Sequence, residues 1–459
     1  MVFAHKLHNP SQKYILDPDK PELENAHILL SGGSGSGKTY TLKRIMDELK
    51  NKGKFTVVID YHGDLETPGE NLIKFSYAEN THAINPFELE IDEEQGGVKT
   101  QTEVILRILA EYFFTKGRIT KKQENLLEEI ILDTYAAKGI FHNKPETWNK
   151  PVPTMKDLGN VFEYISAHIE GRGGAEFESG EIVALERIQQ KIANIKDEVR
   201  SIGFLKETPE LEDILKKADE LENTVSDIAI NERMADNNPQ DKTENSSLDF
   251  SKIKIEYYQK EGNVKSFLNL YNYVYKVSNI GFFGNNLPKL KRGINRIDLS
   301  AFTSIGKPLV AKLISELLMQ KFFRSAMLRG EYQYSKSYMP NTKFDRAIII
   351  DESKIALPSG AEKKDPFNII NRIVTEARKF GVSIILASQR IDHYSGDMLS
   401  NISVKVILGA KAIDYASIGK AIGMNQNIIK NAFCIKNKRI AIISEDGVSD
   451  VWEIESKKD

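Results

Sequence analysis

The chain carries one cysteine, Cys434, among its 459 residues, so no internal disulfide can form and the redox setting of the cytoplasm suits it. No stretch approaches 18 uninterrupted apolar residues, which removes an evident membrane span. The opening MVFAHKLH has no apolar core of the signal-peptide kind. A cytoplasmic protein without a membrane span is therefore expected. The sequence also shows no internal repeat, zinc-spaced cysteine cluster, nuclease motif or sequence-reading DNA module, so any DNA recognition would run through the backbone and not the bases. Nor is there a strong excess of either charge: the formal net charge is −2. That average hides an asymmetry. Residues 206–249 hold 5 basic and 13 acidic side chains, a local −8 that leaves +6 for the rest. The acidic stretch reads as a solvated linker or insertion, and the surplus elsewhere permits DNA binding without demanding it.

What is present is a globular composition, 41% hydrophobic and 28% charged, with material for a large core. Residues 1–26 are polar and proline-containing and read as an N-terminal extension. An apolar run at 26–30 ends in a glycine-rich turn. A helix follows with Leu42, Ile45, Met46 and Leu49 on one face, and then a strand at 55–60. From about 99 to 204 the period is helical. Val104, Ile105, Ile108 and Leu109 keep it, as do Leu126, Leu127, Ile130, Ile131 and Tyr135, with Gly139 placed as a C-terminal stop. Residues 205–262 form an acidic insertion, with a charged helix at 209–223 and a polar, breaker-rich, disordered run at 231–247. Strand and helix alternate again near 294: strands at 294–299, 347–350, 382–387 and 404–408, helices at 307–324 and 366–379, and a closing strand pair at 438–455. The alternation implies an α/β fold with a mostly parallel sheet covered on both faces. The core is expected in two parts, 27–98 and 263–459.

Gly32, Gly33, Ser34, Gly35, Ser36, Gly37, Lys38 and Thr39 fit G-x-x-x-x-G-K-[ST] in full, between a strand and a helix as that motif requires. Four glycines let backbone N–H groups turn inward as an anion nest, and the helix start points its positive end at the same place. Lys38 would reach the β- and γ-phosphates of ATP, and the Thr39 hydroxyl would coordinate Mg²⁺.

The strand at 347–350 ends in Asp351 and Glu352. Asp351 is assigned to the Mg²⁺ shell and Glu352 to general-base activation of water. Gln389 ends the next strand, where a glutamine senses the γ-phosphate or positions water, or is an ordinary polar terminus. Arg378 lies between them. It is either a finger that acts on a neighbouring subunit's nucleotide or a cation favoured at a helix C-terminus, and Arg372 with Glu376 is spaced as a simple i,i+4 pair.

These blocks resemble the HerA/FtsK superfamily. HILLSGGSGSGKTYTLKRIMDELKNKGKFTVVIDYHGDL, INPFEL (84–89), INRIDLS (294–300), AIIIDES (347–353) and EARKFGVSIILASQR (376–390) with LSNISVKVILGA stand in that superfamily's motif order. The resemblance spans roughly residues 26–140 and 290–450. It implies a RecA-like P-loop core, commonly a hexameric homo-oligomer with double-stranded DNA in a central channel. It puts Lys38, Thr39, Asp351, Glu352 and Gln389 on nucleotide and catalytic positions and Arg378 on the trans-acting arginine. The usual N-terminal barrel has no counterpart in the 26 residues before the core, the acidic pair is followed by Ser353 and Lys354, and the acidic insertion is unfamiliar.

An ATP-driven DNA translocase or helicase working with a nuclease or defence effector is the expected function. The alternatives are a conjugation or type IV secretion ATPase and an ATP-gated scaffold ring for an effector. For DNA contact, Lys354, Lys363 and Lys364 rank first because they follow the acidic pair. Behind them come Lys289, Lys291 and Arg292, then Lys116, Arg118, Lys121 and Lys122.

Overall fold

The computed structural model describes residues 2–7, 9–75, 82–89, 96–113, 120–169, 192, 216–218, 220–221, 248–278, 282–284, 287–304, 308–332, 342–357 and 368–454. The chain forms two compact units, Met1–Ile84 with Asn286–Asp459, and Asn85–Asn285.

The first unit is built on one sheet whose described strands are β1 (Val2–Lys6), β2 (Asn9–Ile15), β3 (Ile28–Ser31), β4 (Phe55–Asp60), β5 (Asn71–Lys74), β6 (Ile294–Asp298), β7 (Arg346–Ile350), β8 (Val382–Ser388), β9 (Val404–Ile407), β10 (Ile440–Glu445) and β11 (Val448–Ile454). Their spatial order is β2-β1-β11-β10-β9-β3-β8-β7-β4-β6-β5. From β9 to β5 every pairing is parallel. The other four strands join antiparallel at the β9 side. Ile28, Leu29 and Leu30 are all buried, as is every residue of β8. Successive side chains point to opposite faces, so both faces of the central strands are covered, and the strands read as continuous apolar runs. On one face, Leu42, Ile45, Met46 and Leu49 of the helix α1 (Lys38–Asn51) join Ile28, Leu30, Val58, Ile349, Ile385 and Val406 in a single core.

Residues 2–15 depart from the expected extension. Phe3 and Ala4 are fully buried, and β1 pairs with β11, Ala4 facing Ile454. The segment hides its role because β2 is an edge strand with only Tyr14 turned inward and carries Pro10 where no ladder bond is needed.

The second unit is helical. α2 (Val98–Phe113), α3 (Lys121–Ala137), α4 (Met155–Ile169) and the helix Glu261–Ser278 share a core that includes Leu127, Ile130, Tyr135, Phe162, Phe267 and Leu270. Thr120 and Gln123 close a reciprocal cap on α3, and Gly139 adopts φ 72° just beyond its end. Residues 248–278 belong to this unit and not to an acidic linker or to the sheet core. Asp249 N–H donates to the Ala137 carbonyl (2.8 Å), Tyr258 donates to Asp133 (2.8 Å), and Phe267 stacks on Phe162. The charge-rich residues upstream masked this aromatic segment. Of the expected charged helix at 209–223, only 216–218 and 220–221 are described, as helix; the run at 231–247 lies outside the described residues.

Candidate nucleotide site

Strand order brings the candidate residues together. β8 lies between β3 and β7, with Ser31 opposite Ser388 and Ile350 opposite Leu386. Because the three strands are parallel, the phosphate loop, Gln389 and the acidic pair leave the same edge side by side, where α/β sheets hold ligands.

The loop between β3 and α1 is tied down at both flanks. Gly32 N–H donates to the Ser388 carbonyl (3.2 Å) and Leu408 N–H to the Ser31 carbonyl (2.8 Å). Gly37 caps α1 at φ 95°, a left-handed value that glycine adopts without strain. At Gly32 a Cβ would stand 2.6 Å from Ser36 Oγ and 3.3 Å from the Gly409 nitrogen, so a side chain there would force the loop to shift. The Ser36 hydroxyl is buried without a hydrogen-bond partner among the described residues. Lys38 is buried and its ammonium donates to the carbonyls of Gly32 (2.7 Å) and Gly33 (3.2 Å), across the mouth of the nest. Thr39 follows it in the first turn of α1.

Asp351 is buried at the end of β7. Burial pushes its carboxyl up to about 6, the nearby Asp64 and Glu352 charges push the same way, and Lys38 opposes them. A buried acid crowded by two carboxylates beside a lysine is a site that a divalent cation would relieve, so Thr39 and Asp351 fit Mg²⁺ in their donor chemistry. Glu352 holds φ 45°, an uncommon conformation for a residue with a side chain. Its Oε1 accepts from Gln389 Nε2 at 3.2 Å, so the candidate base and the candidate sensor meet.

Neighbours to which the sequence reading gave no role hold this turn in place. Ser353 Oγ donates to the Ala387 carbonyl (2.9 Å), which uses its only proton, so the buried Tyr394 hydroxyl donates to Ser353 Oγ (2.6 Å). Burial pushes Tyr394 well above the usual phenol range and keeps that proton on the ring oxygen. Asp64 was also missed, although it stands in the quoted VIDYHGDL block, because nothing in the spacing says that its charge acts on Asp351. Asp60, four residues earlier, is committed elsewhere. It accepts from His62, Gly63 and Leu65 N–H groups and pairs with the buried Arg296 at 3.0 Å.

Arg378 lies at the other end of the sheet. It sits in the turn Ala377–Phe380 that precedes β8, whereas Gln389 follows β8. Seven strand residues separate the two edges by roughly 20 Å, so Arg378 cannot reach the phosphate loop of its own chain. It is exposed beside Lys343 and Lys379 in a cleft of about 250 Å³. The Arg372–Glu376 pair does form, at 3.4 Å.

Of the DNA candidates, Lys354 is exposed in the turn after the acidic pair. Lys363, Lys364, Lys116 and Arg118 lie outside the described residues. Lys289, Lys291 and Arg292 precede β6 and so sit at the edge opposite the phosphate loop. Lys121 opens α3 in the helical unit, paired with Glu124 at 3.1 Å, and Lys122 follows it. No helix among the described residues is long and apolar enough to cross a membrane.

Comparison with known proteins gives the family and the fold. The family model described as "Helicase HerA, central domain" matches residues 7–318. The DNA double-strand break repair helicase HerA of Pyrococcus furiosus is 27% identical over 190 residues, covering 34% of this chain and 34% of the relative. The matched part is thus about a third of that relative's length. VirB4 of Thermoanaerobacter pseudethanolicus superposes with a TM-score of 0.60 at 13% identity, covering 100% of this chain and 96% of that one. The bacterial conjugative coupling protein TrwB gives 0.47 at 12% identity over 100% of this chain and 89% of that one. With a family match over more than half its length and a phosphate loop, acidic pair and glutamine on adjoining strand ends, the chain belongs to the HerA central-domain family and is a P-loop ATPase of that family.

Proposed function

We propose that this protein hydrolyses ATP in a homo-oligomeric ring, expected to be a hexamer, and uses the cycle to move along double-stranded DNA. The observation that carries the hydrolytic half is the 3.2 Å hydrogen bond between Glu352 and Gln389, beside a loop built to hold phosphates. Lys38 exchanges the Gly32 and Gly33 carbonyls for the β- and γ-phosphates. Glu352 takes the proton of a water that attacks the γ-phosphorus, Gln389 holds that water or the γ-phosphate, and the bond to the β-phosphate oxygen breaks. A Mg²⁺ ion on Thr39 and Asp351 would neutralise charge on the leaving phosphates. The place of Arg378, beyond reach of its own loop, supports a role at a neighbouring subunit's nucleotide, and so supports the ring.

DNA as the track rests on the family and on the HerA repair helicase relative, with Lys354, Lys363 and Lys364 as the proposed phosphate-binding cations. A nuclease or defence effector is the proposed partner protein.

Steady-state ATP turnover with and without linear duplex DNA tests the reading, with Lys38→Ala and Glu352→Gln as controls. Strong stimulation that both substitutions abolish is expected. Hydrolysis indifferent to DNA would favour a secretion ATPase or an ATP-gated scaffold.

A further inference from the structure

The antiparallel return of β10 puts one more cation at the phosphate loop. β9 runs parallel to β3 and ends beside it, Ile407 opposite Ser31. β10 pairs antiparallel with β9, so it begins at the edge where β3 and β9 end. The residue before its first, Arg439, is fixed there by its carbonyl, which accepts from Ile454 N–H at 2.7 Å. Its guanidinium lies against Gly37: a Cβ on that glycine would stand 2.2 Å from Nη2. The side chain's hydrogen bond among the described residues is a 3.5 Å approach to the Ser36 carbonyl, the outer limit for such a bond. Its neighbour Lys438 pairs with Glu453 at 2.6 Å, but no carboxylate pairs with Arg439 among the described residues. An exposed guanidinium without a carboxylate partner among the described residues is thus held over the phosphate loop.

Resting on the nucleotide reading above, we propose that Arg439 binds the phosphate chain of a nucleoside di- or triphosphate in cis, exchanging the Ser36 carbonyl for phosphate oxygens. The fork of a guanidinium suits that partner better than a single carbonyl. Strand order also fixes which phosphates it meets. Arg439 approaches β3 from the β9 side, whereas Gln389 and Glu352 approach from the β8 and β7 side. The guanidinium therefore meets the diphosphate that remains after hydrolysis and not the γ-phosphate. Gly37 serves it too, since any side chain there would push the guanidinium away.

The test is equilibrium binding of fluorescent mant-ADP, mant-ATP and mant-GTP to the full chain with Mg²⁺, comparing the unaltered protein with Arg439→Ala, Arg439→Lys and Lys38→Ala. Thermal melting of each variant accompanies it to verify folding. Arg439→Ala is expected to weaken all three nucleotides by a similar factor, about tenfold or more, with Arg439→Lys in between. Unchanged binding in Arg439→Ala while Lys38→Ala loses it would overturn the assignment and leave the nucleotide site standing. A loss confined to mant-ATP would place the guanidinium at the γ-phosphate, and a loss that spares mant-GTP would place it at the base. Either result overturns the inference. No binding by the unaltered chain would overturn both the nucleotide reading and this one.

Discussion

Glu352 is held by its neighbours in a backbone conformation, φ 45°, that an isolated glutamate would avoid. Ser353, bonded to Ala387 and Tyr394, fixes the turn from below, and Gln389 meets the carboxylate from the side. Loss of the charge in Glu352→Gln is expected to cut turnover by about 10²–10⁴-fold while nucleotide still binds. Lys38→Ala is expected to lose binding as well. Single-turnover kinetics and nucleotide titration separate the two, and weak binding by Glu352→Gln would contradict the base assignment. A second residue-scale consequence concerns His27. Burial pushes this ring down to about 4, and the Arg378 charge acts in the same direction. Its Nδ1 accepts from Ile384 N–H at 3.1 Å, so the neutral ring is the one built into the fold. Above its ordinary value near 6.5 the ring is neutral whether the chain is folded or not. Between about 6.5 and 4 the unfolded chain binds a proton that the folded one does not, so stability falls as the pH drops through that window, by up to about 3 kcal/mol. Urea unfolding at several pH values should show a shallower slope in His27→Asn; an unaltered slope would contradict this account.

At the scale of elements, the sheet explains which residues were legible. Lys38, Asp351 and Glu352, which the fold gathers at one end of the sheet, could be named as candidates from the sequence because a phosphate loop and a strand-end acidic pair are local patterns, set by spacing within a few residues. Asp64, Tyr394 and Arg439 were not, because their positions depend on how distant strands return: a turn after β4, a hydroxyl reaching back to β7, an antiparallel strand beginning beside the loop. The same holds for β1, whose five residues carry no recognisable period yet bury Phe3 and Ala4 against β11. Deleting residues 1–16 is accordingly expected to lower the melting temperature and promote aggregation by baring the β11 edge. An unchanged melting curve would contradict the place of β1 in the core. Arg296 of β6 tests the other flank. It is buried between Asp60 (3.0 Å) and Glu70 (2.8 Å), so Arg296→Met strands two carboxylates and should cost about 3–5 kcal/mol in denaturant unfolding.

At the scale of the whole molecule, the separation of Arg378 from its own phosphate loop underlies the proposed trans role, in which a complete site would take two chains. Mixing Arg378→Ala with Lys38→Ala subunits, each with little hydrolysis alone, should restore part of the activity at interfaces that pair an intact loop with an intact arginine. Failure to recover would argue against a trans role. Removing charge at Lys354, Lys363 and Lys364 should lower DNA-stimulated turnover. It should also flatten the salt dependence of DNA binding by roughly 1 in slope for each DNA phosphate left without its cation. The central claim, that hydrolysis drives movement along duplex DNA, is met most directly by displacement of a triplex-forming strand from linear duplex. ATP-dependent displacement by the unaltered chain, absent in Lys38→Ala and Glu352→Gln, is the predicted result. Vigorous ATP hydrolysis with the triplex left in place would contradict it.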